Sequence, residues 1–219
     1  MSPRKVEDHL REEYSILLPG VRRVTTELET QVRHLLLPVW KSLARHEQLV
    51  VKSRVKDSDS AIESLRRRTE LTGFERGGQS TPSLTTLNDL AGVRILAFPK
   101  CRVLEIDQVL RRRFPDWTPD PVPPLPGCAN SLALKYHGRL DDSCRVRAEI
   151  QLMSMLVGMF WEVEHAILYK PGEQLRGAGV ALRMQPRYAE VIHALNTFEA
   201  EFETLANAPA QDEDRLAGS

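Results

Sequence analysis

Between Arg145 and Met153 the chain alternates without a break. Val146, Ala148, Ile150 and Leu152 hold one parity; Arg147, Glu149, Gln151 and Met153 hold the other. A two-residue period fits an extended strand, whose successive side chains point to opposite faces. The apolar parity needs a core to bury in, so this strand belongs to a sheet with one packed side. The second parity makes a polar surface on which chemistry can be built.

Elsewhere the period changes. From about Val6 to Ala44 apolar residues recur every three or four positions (Leu10, Tyr14, Leu17, Val21, Leu28, Val32, Leu35, Val39), which predicts helix interrupted near Pro19-Gly20 and Pro38. Leu49 to Val55 reads as a strand. Ser60 opens a helix reaching about Leu71, because Ser60-x-x-Glu63 fits a capping box. Val93 to Phe98 is a strand and Val103 to Phe114 a helix. Leu132 to Arg139 is a strand joined to Arg145–Met153 by a turn at Asp141-Asp142-Ser143. Ser154 to Tyr169 is a helix stopped by Pro171 and Gly172. Tyr188 to Leu205 is a last amphipathic helix. Gly73 to Ser83 and the six-proline stretch Pro115–Gly127 read as loops. The mixture predicts an α+β domain, a mixed sheet flanked by helices, over residues 49–172. Helical extensions are expected at 1–48 and 173–206, with a frayed tail at 207–219.

Composition narrows the function classes. The formal net charge is zero, so no bulk field draws in nucleic acid or an acidic membrane, and any anion site has to come from a local cluster. No run of about 18 apolar residues occurs, so no membrane helix is expected. MSPRKVEDHLREEY is charged where a signal peptide would be apolar. Three cysteines without CxxC spacing argue against a disulfide framework and for reduced thiols in the cytoplasm.

The candidate chemistry lies in three groups. Asp89 stands just before a strand and Glu149 on the polar face of another. Two such carboxylates either hold Mg²⁺ against nucleotide phosphates, as a hard cation prefers oxygen, or serve as a turn residue and a solvated strand residue. Arg54, Lys56, Arg66, Arg67 and Arg68 flank the Ser60 helix, whose N-terminus near Ser58–Ser60 offers free N–H groups. They form either a polyphosphate cradle or a solvated cationic face. Trp161, Glu164, His165, Tyr169 and Lys170 share one helical segment, His165 and Tyr169 at i, i+4.

Four segments in order resemble the synthetase domain of the RelA/SpoT family. They are SRVK with DSDSAIESL, NDLAGVRI, AEIQLMS (the family's EIQIRT), and FWEVEHAILYKP, together spanning roughly Val50 to Pro171. The resemblance implies transfer of pyrophosphate from ATP to a guanosine nucleotide, GDP or GTP. Arg54, Lys56, Ser60 and Arg94 would serve ATP, Asp89 and Glu149 would bind Mg²⁺, and Glu149 or Gln151 would orient or deprotonate the acceptor hydroxyl. Asn130, Ser131, Lys135, His137 and His165 would lie on the acceptor side. Small members of the family often form tetramers, so a homo-oligomer is implied as well.

The departures fall on the acceptor half. The family's Asn-Gly-Tyr-x-Ser-Leu/Ile-His loop is GCANSLA here, with Ala129 at the tyrosine and Ala133 at the histidine. Met153 replaces the arginine of EIQIRT and Ser64 replaces a lysine. Loss of a base-stacking aromatic removes roughly 1–3 kcal/mol. Three readings therefore stand: a divergent pyrophosphokinase, a synthetase fold that binds nucleotide without transfer, and transfer to another acceptor such as a tRNA 3′ end or an adenine nucleotide. No His-Asp dipeptide occurs, which removes the family's hydrolase motif.

Overall fold

The computed structural model describes residues 3–71, 82–117, 119–121, 133–140, 145–168 and 180–208. The order of elements is α1 (Pro3–Leu35), α2 (Leu37–Ser42), β1 (Gln48–Val55), α3 (Ser58–Leu71), a 3₁₀ turn (Leu84–Thr86), β2 (Ala91–Phe98), α4 (Cys101–Arg113), β3 (Pro119–Pro121), β4 (Ala133–Gly138), β5 (Ala148–Ser154), α5 (Met155–Leu168) and α6 (Val180–Ala206). The strands form one mixed sheet in the order β1-β2-β5-β4-β3. Only β2 and β5 pair in parallel. The α+β fold expected from the sequence is the one observed.

β5 is central, and its alternation does what the sequence requires on one side. Ile150 and Leu152 join the main core with Val93, Ile95, Tyr136 and the α1 residues Val21, Val24, Leu28 and Val32. The opposite parity is also buried, since all seven β5 residues are inaccessible. The polar face is therefore enclosed rather than solvated. Helix α5 lies against β1, β2 and β5 from that side, while α1 and α4 contribute to the main core on the other.

Four local expectations change. Helix α1 runs unbroken through Pro19. An interior proline costs about 3 kcal/mol, but Leu10, Tyr14, Val21, Val24, Leu28 and Val32 are all buried along this helix, each contributing about 1.5–3 kcal/mol. Helix α3 begins at Ser58, ahead of the expected start at Ser60. Asp57 supplies the cap, its Oδ1 accepting from the Ser60 N–H (2.8 Å) and its Oδ2 from the Ser60 hydroxyl (2.7 Å). Helix α6 starts eight residues early and runs through Pro186. Part of the proline-rich stretch forms β3, which sits at the sheet edge, where a missing N–H leaves no ladder bond unmade. At the other edge the carbonyls of Leu49 and Val51 accept from Trp40 Nε1 (3.1 Å) and Arg33 (2.7 Å). The Gly73–Ser83 loop up to residue 81 and the turn at 141–144 lie outside the described residues.

Candidate functional site

Strand register assembles the site in rows. Arg54, Gly92, Glu149 and His137 stand opposite one another across β1, β2, β5 and β4. Lys52, Arg94, Gln151 and Lys135 make the next row, and Val50, Leu96, Met153 and Ala133 the third. Two-residue periodicity puts all three rows on the same face. Gly92 is buried between Arg54 and Glu149. A Cβ there would sit 3.3 Å from the Glu149 carbonyl oxygen, tighter than an ordinary contact.

In the first two rows the side chains form a chain of contacts. Gln151 donates through Nε2 to Glu149 Oε1 and accepts at Oε1 from Arg94 Nε (2.9 Å). Arg94 also pairs with Glu162 Oε1 (2.8 Å), and its guanidinium lies 5.4 Å from the Trp161 ring centre, within cation–π range. Burial pulls the Arg94 pKa below its ordinary value, with Glu162 opposing the shift. Glu149 Oε2 faces His137 Nδ1 at 3.6 Å and Lys135 Nζ at 3.8 Å.

Asp89 sits beside this face, ahead of β2. Lys56 Nζ donates to Asp89 Oδ2 (2.5 Å) and to Ser64 Oγ (3.0 Å). Helix α1 holds Lys56 in place, as Tyr14 donates to the Lys56 carbonyl (2.6 Å). Burial lowers the Lys56 pKa, and the Asp89 carboxylate only partly offsets it. For Asp89, burial pushes upward, but Lys56, Arg68 and Arg54 outweigh it and hold the carboxyl below its ordinary range. Asp89 Oδ1 is buried without a hydrogen bond, with the Arg68 guanidinium 3.9 Å away.

The third row is apolar. Leu96, Met153 and Ala133 are buried and pack with Val50, Met155 and Trp161. Gly158 lets α5 approach here. A Cβ on it would come within 2.5 Å of Leu96 Cδ2 and 2.7 Å of Met153 Sδ. Ala133 and Met153, two of the positions that depart from the family motif, are direct cross-strand partners.

Of the residues expected at the site, Arg54, Arg94, Lys135, His137, Glu149 and Gln151 lie in adjacent rows. Lys56 and Asp89 form a pair, and Ser60 lies in the first turn of α3, bonded to Asp57. His165 falls on α5, while Asn130 and Ser131 lie outside the described residues, as do Tyr169 and Lys170. Sequence reasoning missed Glu162. Its signal was the spacing Met155, Gly158, Glu162, which puts it one turn beyond the glycine that seats α5. Among the described residues no three His, Cys, Asp or Glu side chains gather for a metal, and no helix is long and apolar enough to cross a membrane. Asp89 nonetheless fits a hard cation, being ionised, buried and unbonded at Oδ1.

A mixed sheet with helices on both faces, as here, matches the fold of the small alarmone synthetases. The chain is similar to small alarmone synthetase 1 of Bacillus subtilis, with 20% identity over 89% of this chain and 98% of that one and a TM-score of 0.64. The same enzyme bound to its product pppGpp matches with 22% identity over 89% and 97%, at a TM-score of 0.62. A GTP pyrophosphokinase family protein from Streptococcus pneumoniae matches with 20% identity over 86% and 92%, at 0.58. No protein-family model matches the sequence, and no curated protein does.

Proposed function

We propose that this protein transfers the β,γ-pyrophosphoryl group of ATP to the 3′-hydroxyl of a guanosine nucleotide, GDP or GTP. The observation that carries this reading is the row Arg54–Gly92–Glu149–His137, a strip of sheet with a guanidinium at one end, an imidazole at the other and a buried carboxylate between them. It is supported by the fold neighbours, one bound to AMPCPP and one to pppGpp.

In this reading Arg54 and Arg94 contact the ATP base and phosphates, and Lys56 and Arg68 neutralise phosphate charge. Glu149 orients the acceptor hydroxyl and takes its proton. The acceptor oxygen bonds to the β-phosphorus while the bond from that phosphorus to the α,β-bridging oxygen breaks, and AMP leaves. Positioning and charge neutralisation supply most of the rate in such transfers. Asp89 and Glu149 would hold Mg²⁺, which when bound neutralises phosphate charge. Asp89 Oδ1 would be the oxygen left for that ion, since Lys56 occupies Oδ2.

A second reading is nucleotide binding without transfer. Met153 and Ala133, standing where the family pattern has arginine and histidine, are both buried in the apolar row. A tRNA 3′ end as acceptor is less favoured, since phosphate contacts along an RNA need basic surface and the net charge is zero.

The test is acceptor-dependent AMP release from ATP and Mg²⁺, run with GDP, GTP, AMP, ADP and total tRNA. Release with a guanosine nucleotide that stops in Glu149→Gln supports the first reading. Tight ATP binding without release from any acceptor supports the second.

A further inference from the structure

Glu162 stands between two cations. Its Oε1 takes Arg94 at 2.8 Å and its Oε2 faces Lys52 at 3.8 Å. Lys52 and Arg94 are direct cross-strand partners on β1 and β2, in the row next to Arg54 and Glu149. The side chains grade outward: Arg94 is 17% exposed, Glu162 42% and Lys52 52%. Helix α5 thus sets a carboxylate at the rim of the cationic face.

Arg94 has other anchors. Gln151 Oε1 accepts from its Nε, and its guanidinium lies over the Trp161 ring. What Glu162 adds is charge. Burial disfavours the charged form of Arg94 and the nearby Arg54 adds to that, while Glu162 is the largest influence in the other direction. A polyanion on this face would supply the same neutralisation. An ion pair as exposed as this one is weak, so a polyanion can exchange for it.

We propose that Glu162 is a resident counter-charge that competes with polyphosphate for Lys52 and Arg94 and holds its affinity down. The proposal rests on the nucleotide reading of the site and adds its regulation by a residue of the chain itself. A like charge at the rim repels a ligand in proportion to the ligand's own charge. Phosphate charge rises from AMP to ADP to ATP and is absent in adenosine, so the restraint is strongest on ATP. A residue that only held Arg94 in place would show no such grading.

Glu162→Gln keeps an acceptor for Arg94 and removes only the charge. Equilibrium dialysis of the full chain with labelled adenosine, AMP, ADP and ATP in EDTA tests the proposal, with ATP repeated in Mg²⁺. The variant should bind ATP about five- to tenfold more tightly than wild type, the gain falling through ADP and AMP to within about twofold for adenosine. The gain should also shrink as salt rises from about 50 to 500 mM, because screening weakens exposed charges. Lys52→Gln should cost more affinity in the Glu162→Gln background than in wild type, since Lys52 then meets phosphate unopposed. Circular dichroism confirms that each variant is folded. Wild-type ATP binding that Glu162→Gln leaves unchanged or weakens would overturn the counter-charge role and leave the nucleotide reading standing. A gain as large for adenosine as for ATP would do the same. Failure of both proteins to bind ATP, with and without Mg²⁺, would overturn the two together.

Discussion

Lys56 and Asp89 form a 2.5 Å ion pair in which the lysine side chain is 6% exposed and the aspartate 20%. The same ammonium donates to Ser64, the position where the family pattern has a second lysine. Lys56 is the closest cation on Asp89, with Arg68 at 3.9 Å and Arg54 adding to its field.

Removing one partner strands the other. Asp89→Asn leaves a nearly buried ammonium without its carboxylate, and urea unfolding should show a loss of about 2 kcal/mol. That is less than the ~3–5 kcal/mol for a fully buried pair, because Asp89 keeps some solvent contact. Replacing both residues with apolar ones of similar size should cost less than the single change.

The same pair sets an acid limit. Asp89 titrates below its ordinary value in the folded state, so the unfolded chain binds the extra proton first. Its contribution to stability is present above the ordinary carboxylate pKa of about 3.9 and is lost as pH falls through the depressed folded value. Unfolding temperatures measured from pH 6 downward should drop in that window for wild type and less for Asp89→Asn.

Glu199 predicts the opposite sign. It is fully buried, and burial raises its pKa despite the Ser154 hydroxyl and Lys100, which act to lower it. Its contribution is therefore complete below the unfolded value of about 4.3 and is lost as pH rises through the raised folded value. Glu199→Gln keeps an acceptor for Ser154 without the buried charge. It should melt higher than wild type at pH 7, and the gap should close towards pH 4.

Gly158→Ala should destabilise by about 1–3 kcal/mol, the usual cost of overpacking, because the new methyl meets Leu96 and Met153. Met153→Ala, itself costly in a buried cluster, should cost less in the Gly158→Ala background than alone, since it removes the sulfur that the methyl strikes. Thermal melts of the single and double variants decide it.

Glu162→Ala should free Arg94 from its 2.8 Å contact. Loss of a charge-assisted hydrogen bond at a partly exposed site costs about 1 kcal/mol. Arg94 then shifts against Trp161, so tryptophan emission should change, and the change should be absent in a Trp161→Phe background.

The alternation of Arg145–Met153 and the β-branched run at Leu49–Val55 were legible because a strand's period is set by local geometry. Pairing was not legible. Nothing local says that Arg54 faces Gly92 and Glu149, or that Met153 meets Ala133, because register is a long-range property. Pro19 and Pro186 misled for a related reason: tertiary burial outweighed a local breaker. At Ser60 the capping pattern misled, since Asp57 takes the Ser60 N–H and the helix begins at Ser58. The two carboxylates and the cations were legible as residue types. Their tethering by Glu162 and Ser64 depends on how α5 and α3 pack.

The most direct measurement follows the label of [β-³²P]ATP incubated with GDP or GTP and the full-length protein. Label appearing on the guanosine 3′-position in wild type, and vanishing in a folded Glu149→Gln variant, is the predicted result. A well-folded wild-type protein that binds ATP yet leaves all label on ATP, or releases it without transfer to either nucleotide, would contradict the pyrophosphate-transfer reading.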